Sequence, residues 1–149
     1  MPSDTMAHPD LETLFQTLLP FTQKFLGEYG GVNPWGAVMY SGGDIQWVGA
    51  DNGEEFPPAE ELIQLLAENF QQQSTRGVLR AAGMCYDVRV VAPGESQKSD
   101  AICCSLEHIS GEAVDMFVPY TKTHDGIQYA EVFSWRRDPR FFLPAGGIQ

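Results

Sequence analysis

Four segments of the second half, Cys85–Val91, Ala101–His108, Ala113–Tyr120 and Gln128–Trp135, keep apolar residues on alternate positions, which is the period of a β-strand with one buried face. The first half carries a different rhythm. Leu11, Leu14, Phe15, Leu18, Leu19, Phe21, Phe25 and Leu26 recur at helical spacing, with Asp10 placed to cap the start and Gly30-Gly31 to end the helix. Pro20 falls inside this pattern and predicts a kink or a split. Trp35–Tyr40 and Ile45–Ala50 flank Ser41-Gly42-Gly43-Asp44, a hairpin signal with glycine where positive φ is needed. Ala59–Gln73 then reads as a second helix, its apolar side made by Leu62, Ile63, Leu65, Leu66 and Phe70 and its first turn acidic through Glu60 and Glu61. Val78–Ala82 is ambiguous, a strand that joins Cys85–Val91 through a bulge. The element order is α-β-β-α-β-β-β-β.

Strand register can be read from loop length, because opposed residues of neighbouring strands share a face. A three-residue loop Ile109-Ser110-Gly111 pairs Leu106 with Val114, Cys104 with Met116 and Ile102 with Val118, aligning every apolar residue, with Gly111 as the left-handed position. A two-residue Asp125-Gly126 loop pairs Val118 with Phe133 and Met116 with Trp135. Pro119 cannot donate to a ladder and predicts a bulge or an early strand end. Tyr86, Val88, Val90, Ile102, Cys104, Leu106, Val114, Met116, Val118, Phe133 and Trp135 then face the helices, leaving Cys85, Asp87, Arg89, Cys103, Ser105, Glu107, Asp115 and Phe117 outside. The expected fold is a two-layer α+β domain, a mostly antiparallel sheet of about six strands with both helices on one face. Its order resembles profilin-like and Roadblock-like domains, with a cystatin-like sheet as the alternative.

At 149 residues and 43% hydrophobic content the chain is expected to form one domain, residues 1–9 and 143–149 being mobile tails. No apolar run reaches the ~20 residues of a membrane span, and the acidic start is unlike a leader, so a soluble, cytoplasmic protein with no membrane contact is expected. The net charge of −11 is unevenly placed: up to Thr75 eleven acids face Lys24 alone, leaving −10, while beyond it nine acids face eight bases, leaving −1. Such a field repels polyanions, which argues against nucleic acid. It serves solubility, or it meets a basic protein partner through Asp51, Glu54, Glu55, Glu60 and Glu61, with Arg89 and Phe117 as further contact residues on the outer strands.

Chemistry has few candidates. Asp87, Glu107 and Asp115, beside Arg89 and Ser105, would form a carboxylate cluster able to tune a general acid or base, or an ordinary solvated face with cross-strand ion pairs. His8, His108 and His124 lie at a terminus and beside turns, positions that argue for exposure. Cys85, Cys103 and Cys104 make an odd count without metal-ligand spacing and read as reduced, structural thiols; no metal or cofactor motif is present. Arg136, Arg137, Arg140, Phe141 and Phe142 form a basic, aromatic segment that either contacts a partner, a second copy included, or folds back on its own domain.

Tyr86-Asp87-Val88-Arg89-Val90, Lys98-Ser99-Asp100-Ala101-Ile102, Leu106-Glu107-His108, Val118-Pro119-Tyr120 and Ile127 to Phe133 resemble a group of small bacterial proteins of unknown function. The resemblance implies a bacterial, cytoplasmic origin and carries no catalytic positions. In composition alone the chain is also similar to small acidic immunity proteins that neutralise basic nuclease toxins. The function expected is therefore non-enzymatic protein binding, with a small hydrolase or lyase using Asp87, Glu107 and Asp115, or a small-molecule sensor with an aromatic-lined cavity, as alternatives.

Overall fold

A computed structural model describes residues 8–50, 53 and 57–143. The elements are α1 (Pro9–Tyr29), β1 (Trp35–Tyr40), β2 (Ile45–Val48), α2 (Ala59–Thr75), β3 (Leu79–Val91), β4 (Lys98–His108), β5 (Ala113–Thr123), β6 (Gly126–Tyr129) and β7 (Phe133–Arg136). All strand pairs are antiparallel, in the order β2-β1-β3-β4-β5-β6, and β7 also pairs with β5. The α+β class, with α1 layered on an antiparallel sheet, and the order α-β-β-α followed by strands are those the pattern predicts.

Among the predicted registers, that of β4 and β5 is reproduced: Leu106 faces Val114, Cys104 faces Met116 and Ile102 faces Val118, with Gly111 at φ 105° in the loop. The expected bulge and inward face of β3 are not found. Val78–Ala82 was expected to join through a bulge, yet β3 runs in unbroken register along β4 from Ala81 opposite His108 to Val91 opposite Lys98. Without the bulge Cys85 lies beside Cys104, so Cys85, Asp87 and Arg89 sit on the α1 side and Tyr86, Val88 and Val90 on the reverse. The irregularity is on the other flank of β3, where β1 shifts register between Met39 and Tyr40.

The placement of α2 is a second correction, because the two helices do not share a face. Leu11, Leu14, Phe15, Leu18 and Leu26 of α1 pack with Ala37, Met39, Ala81, Cys85, Ile102, Cys104 and Leu106. On the reverse side Leu66, Ala67 and Phe70 of α2 pack with Val38, Ala82 and Met84, and with Phe141 and Phe142 from beyond β7. Strands covered on both sides lose their alternation: Ala81–Cys85 and Ala101–His108 are buried at every position. The layers approach closely here: a Cβ on Gly83 would lie 2.7 Å from Leu106 Cδ2 and 3.1 Å from Leu18 Cδ1, and those side chains would have to give way.

Pro20 lies on the exposed side of α1, which continues through it to Tyr29 and ends at Gly30 with φ 77°. The final strand of the pattern is two strands. The carbonyl of Pro119 accepts the Ala130 N–H (2.9 Å), and a strand residue directs its N–H and C=O to the same side, so the donor that proline lacks would have pointed at this neighbour. Pairing breaks there, and β5 itself continues. The break moves Phe133 opposite Phe117 and Trp135 opposite Asp115, rather than Val118 and Met116, and so turns both aromatics to the reverse face.

Candidate functional site

The register divides the expected carboxylate cluster. Glu107 and Asp115 share the reverse face with Ser105 and Cys103, whereas Asp87 and Arg89 lie on the α1 side. The cation that joins the pair is Arg137: its Nη1 donates to Glu107 Oε2 (2.5 Å) and its Nε to Asp115 Oδ1 (2.8 Å). Burial works against the Arg137 charge, but the hydrogen bonds to Asp115 and Glu107 outweigh it and hold its pKa above the usual value.

Glu107 is fully buried and fully occupied. Its Oε2 also accepts the backbone N–H of Arg140 (2.7 Å), and its Oε1 accepts those of Phe141 (2.8 Å) and Phe142 (3.2 Å). Three successive amides and a guanidinium thus surround one carboxylate, leaving no oxygen directed at a substrate. Ser105 Oγ donates to Asp115 Oδ1 (2.7 Å) and lies 3.1 Å from Tyr86 Oη. Burial pushes the Tyr86 hydroxyl up to about 12, and burial followed by the Asp115 charge pushes the Cys103 thiol up to about 12, so both stay protonated near neutrality. The cluster is a clasp for the segment that follows β7. Phe141 is buried edge-on against Phe70 of α2, while Gln71 Nε2 donates to Arg140 O (2.7 Å) and Ser74 Oγ to Phe141 O (2.9 Å). Of the two readings of Arg137, Arg140, Phe141 and Phe142, the structure shows the segment folded back on its own domain.

Asp87 works as a tie elsewhere. It accepts the Val32 N–H (3.1 Å) and the Tyr120 hydroxyl (2.7 Å), joining the α1–β1 connection to β5. Arg89 pairs with Asp100 across β3 and β4 (3.1 Å) in the open. Phe117 is buried beneath Phe133 and Trp135, with ring centroids at 5.0 and 4.8 Å. Glu60 and Glu61 are exposed on the first turn of α2, and Asp51, Glu54 and Glu55 lie outside the described residues.

Sequence reasoning missed a polar cluster at the start of α1. Arg80 grips both oxygens of Asp10 (Nε to Oδ2 3.0 Å, Nη2 to Oδ1 2.9 Å), and His108 Nε2 lies 2.9 Å from Asp10 Oδ2. The Arg80 hydrogen bonds lower the Asp10 pKa to about 2 against burial, with help from His108. His108 Nδ1 accepts the Ser110 N–H (3.0 Å), so its proton is on Nε2 and is donated to Asp10. Both ring nitrogens are therefore engaged, which removes His108 as a free general base. Contrary to the expected exposure, His108 is buried; its even position places it with Leu106 and Cys104, a signal present in the alternation. His8 stacks on it at 3.6 Å and caps α1 by accepting the Asp10 N–H at Nδ1 (3.0 Å), the role expected of Asp10. The donor atoms of His8, Asp10 and His108 lie within 4.8 Å of one another. Parallel stacked rings cannot direct their in-plane lone pairs at one ion, and Arg80 already neutralises the carboxylate, so the trio suits α1 anchoring better than metal binding.

At the β2 edge of the sheet lies a different kind of surface. Trp35 and Trp47 stack at 4.9 Å, Phe21 meets Trp47 edge-on at 5.3 Å, and Phe25 meets Trp35 at 5.5 Å. Phe21 and Trp47 remain nearly half exposed and Tyr29 is 77% exposed. Trp35 is fixed by its indole N–H, which donates to Thr22 Oγ1 (2.9 Å), itself bonded to Leu18 O. Phe25, Tyr29, Val32, Pro34 and Trp35 also line an open pocket of about 560 Å³. Single aromatics belonged visibly to helix and strand patterns, but their meeting across α1, β1 and β2 depends on tertiary placement. No described helix is long and apolar enough to cross a membrane. No protein-family model, curated protein or solved structure matches the chain.

Proposed function

We propose that this chain is a non-enzymatic protein-binding domain that meets a basic partner through the aromatic surface at the β2 edge. The observation that carries the reading is the contiguous group of Phe21, Phe25, Trp35 and Trp47, in which Phe21 and Trp47 are nearly half exposed and Trp35 is held beneath them by its indole hydrogen bond. Large aromatics that cost little conformational entropy to immobilise are the usual anchors of protein contacts. Among the described residues β2 is an edge strand, which sets main-chain groups beside them. The excess acidity lies in the same half of the chain, with Glu28 next to Tyr29, so a basic partner gains steering from the field and affinity from the rings. An immunity-like role toward a basic protein fits this chemistry. The carboxylates proposed for a hydrolase or lyase are separated across the sheet or committed to the clasp, which favours binding over catalysis.

The test is affinity capture by the immobilised full chain beside a Phe21→Ser/Trp47→Ala variant, with thermal melting to show that the variant is folded. A basic protein released by salt and absent from the variant supports the proposal. Identical capture by both proteins sinks it.

A second reading rests on the pocket beside Trp35, whose volume falls in the range of small-molecule sites, about 300–1,000 Å³. A small-molecule sensor predicts ligands that raise the melting temperature and quench Trp35; a screen in which every stabiliser acts equally on Trp35→Phe counts against it.

A further inference from the structure

Beneath α1 the two central strands bring two thiols together. Cys85 and Cys104 are direct partners in the β3–β4 ladder, and their Sγ atoms are 2.7 Å apart. That is well inside the separation at which two thiol sulfurs rest against each other, yet longer than a disulfide bond of ~2.0 Å. Cys103, the next residue along β4, points to the opposite face, where its Sγ lies 3.8 Å from Ser105 Oγ. Only one pairing is thus prepared among the three cysteines.

We propose that Cys85 and Cys104 form a redox pair that closes to a reversible cross-strand disulfide in the presence of a peroxide. One sulfur, as thiolate, attacks a peroxide oxygen; the O–O bond breaks, a sulfenic acid forms, and the released hydroxide takes up the thiol proton as water. The second sulfur then attacks the sulfenic sulfur, forming the S–S bond and expelling hydroxide, which leaves as water with the second thiol proton. Two thiols lose two electrons and one hydrogen peroxide becomes two waters.

The setting determines the character of the bond. Arg80 O accepts the Ile109 N–H, so Cys85–Cys104, five places along the same ladder, is a non-hydrogen-bonded pair, the kind in which opposed side chains come closest. Closing a bridge there asks little movement of the strands. Both thiols are buried, and burial raises the Cys104 pKa well above its ordinary value, so closure is slow at neutral pH and accelerates as pH rises. The bridge links the two strands on which α1 rests.

The experiment treats the full chain with hydrogen peroxide at mildly alkaline pH, in buffer and in urea below the unfolding transition, where buried thiols open locally. After unfolding and alkylation, the expected result is a loss of about 2 Da, label on Cys103 alone, and a linked peptide pair containing Cys85 and Cys104. Dithiothreitol restores all three thiols, Cys104→Ser abolishes the mass loss, and the oxidised chain unfolds at higher urea than the reduced one. The proposal is overturned if all three cysteines stay labelled in both conditions, if Cys103 enters the bridge, or if Cys85 and Cys104 gain about 16 Da each instead of joining.

Discussion

Replacing Glu107 by glutamine keeps the side chain's size and removes its charge, and the structure makes this a severe change. Four donors converge on the carboxylate: Arg137 Nη1 and the Arg140 N–H at one oxygen, and the Phe141 and Phe142 N–H groups at the other. An amide has one acceptor oxygen, so in either orientation its own N–H groups confront two of these donors. Each buried donor left unmet costs about 1–3 kcal/mol, and removing one partner of a buried ion pair costs about 3–5 kcal/mol in all. Against a total stability of about 5–15 kcal/mol this is a large share. With a urea m-value of about 1–3 kcal/mol per molar, the unfolding midpoint should fall by about 2 M. The segment after β7 should loosen first, seen as faster amide exchange at Phe141 and Phe142 and earlier tryptic cleavage near Arg140. Asp115→Asn, at a site 20% exposed, should cost less. A Glu107→Gln protein within about 1 kcal/mol of wild type, with Phe141 still protected, would falsify the clasp, because neutral hydrogen bonding would then suffice.

Further expectations concern the other ties. Asp10 has a folded-state pKa depressed from 3.8 to about 2, so its contribution is present above pH 4 and lost as pH falls towards 2; Asp10→Asn should flatten that limb of a stability-versus-pH curve measured by denaturation. Gly83→Ala would force a methyl to 2.7 Å from Leu106 and should cost about 1–3 kcal/mol in thermal or chemical melts. Tyr120→Phe removes the hydroxyl donated to Asp87 and should cost about 1–3 kcal/mol, read in the same way; no loss would mean that water replaces the bond.

The parts of this structure legible in the sequence are those decided locally. Helical spacing placed α1 and α2, glycine placed the turns, and alternation together with loop length placed β4 against β5, because a three-residue loop sets Ile102, Cys104 and Leu106 opposite Val118, Met116 and Val114 whereas a two-residue loop scrambles both faces. The side of the sheet taken by β3 was not local. Tyr86, Val88 and Val90 form the more apolar set, yet the unbroken ladder and the seat of Leu18 over Gly83 turn Cys85 and Asp87 toward α1 instead. That choice decided the candidate site, since it removed Asp87 from Glu107 and Asp115. Arg137 was recognised as part of a basic segment, but its role could not be read because it acts across 30 residues on Glu107 and 22 on Asp115. The Asp10–Arg80–His108 group is more distant still, His108 standing 98 positions after Asp10.

The clasp also bears on the order in which the molecule can be completed. Synthesis presents Glu107 well before the amides that surround its carboxylate, the Arg140 N–H being 33 residues later in the chain. Until those residues arrive, the reverse face of β4 holds an anion that has no partner and favours staying in water, and α2 lacks the ring of Phe141 against Phe70. The buried residues of the α1 side come from no element beyond β5, with Ile127 of β6 packed only against their margin, so that side can assemble first from sheet and helix contacts. A nascent chain is therefore expected to pass through an intermediate ordered beneath α1 and wet on the other side, open to chaperones at the α2 side until the segment after β7 closes over it.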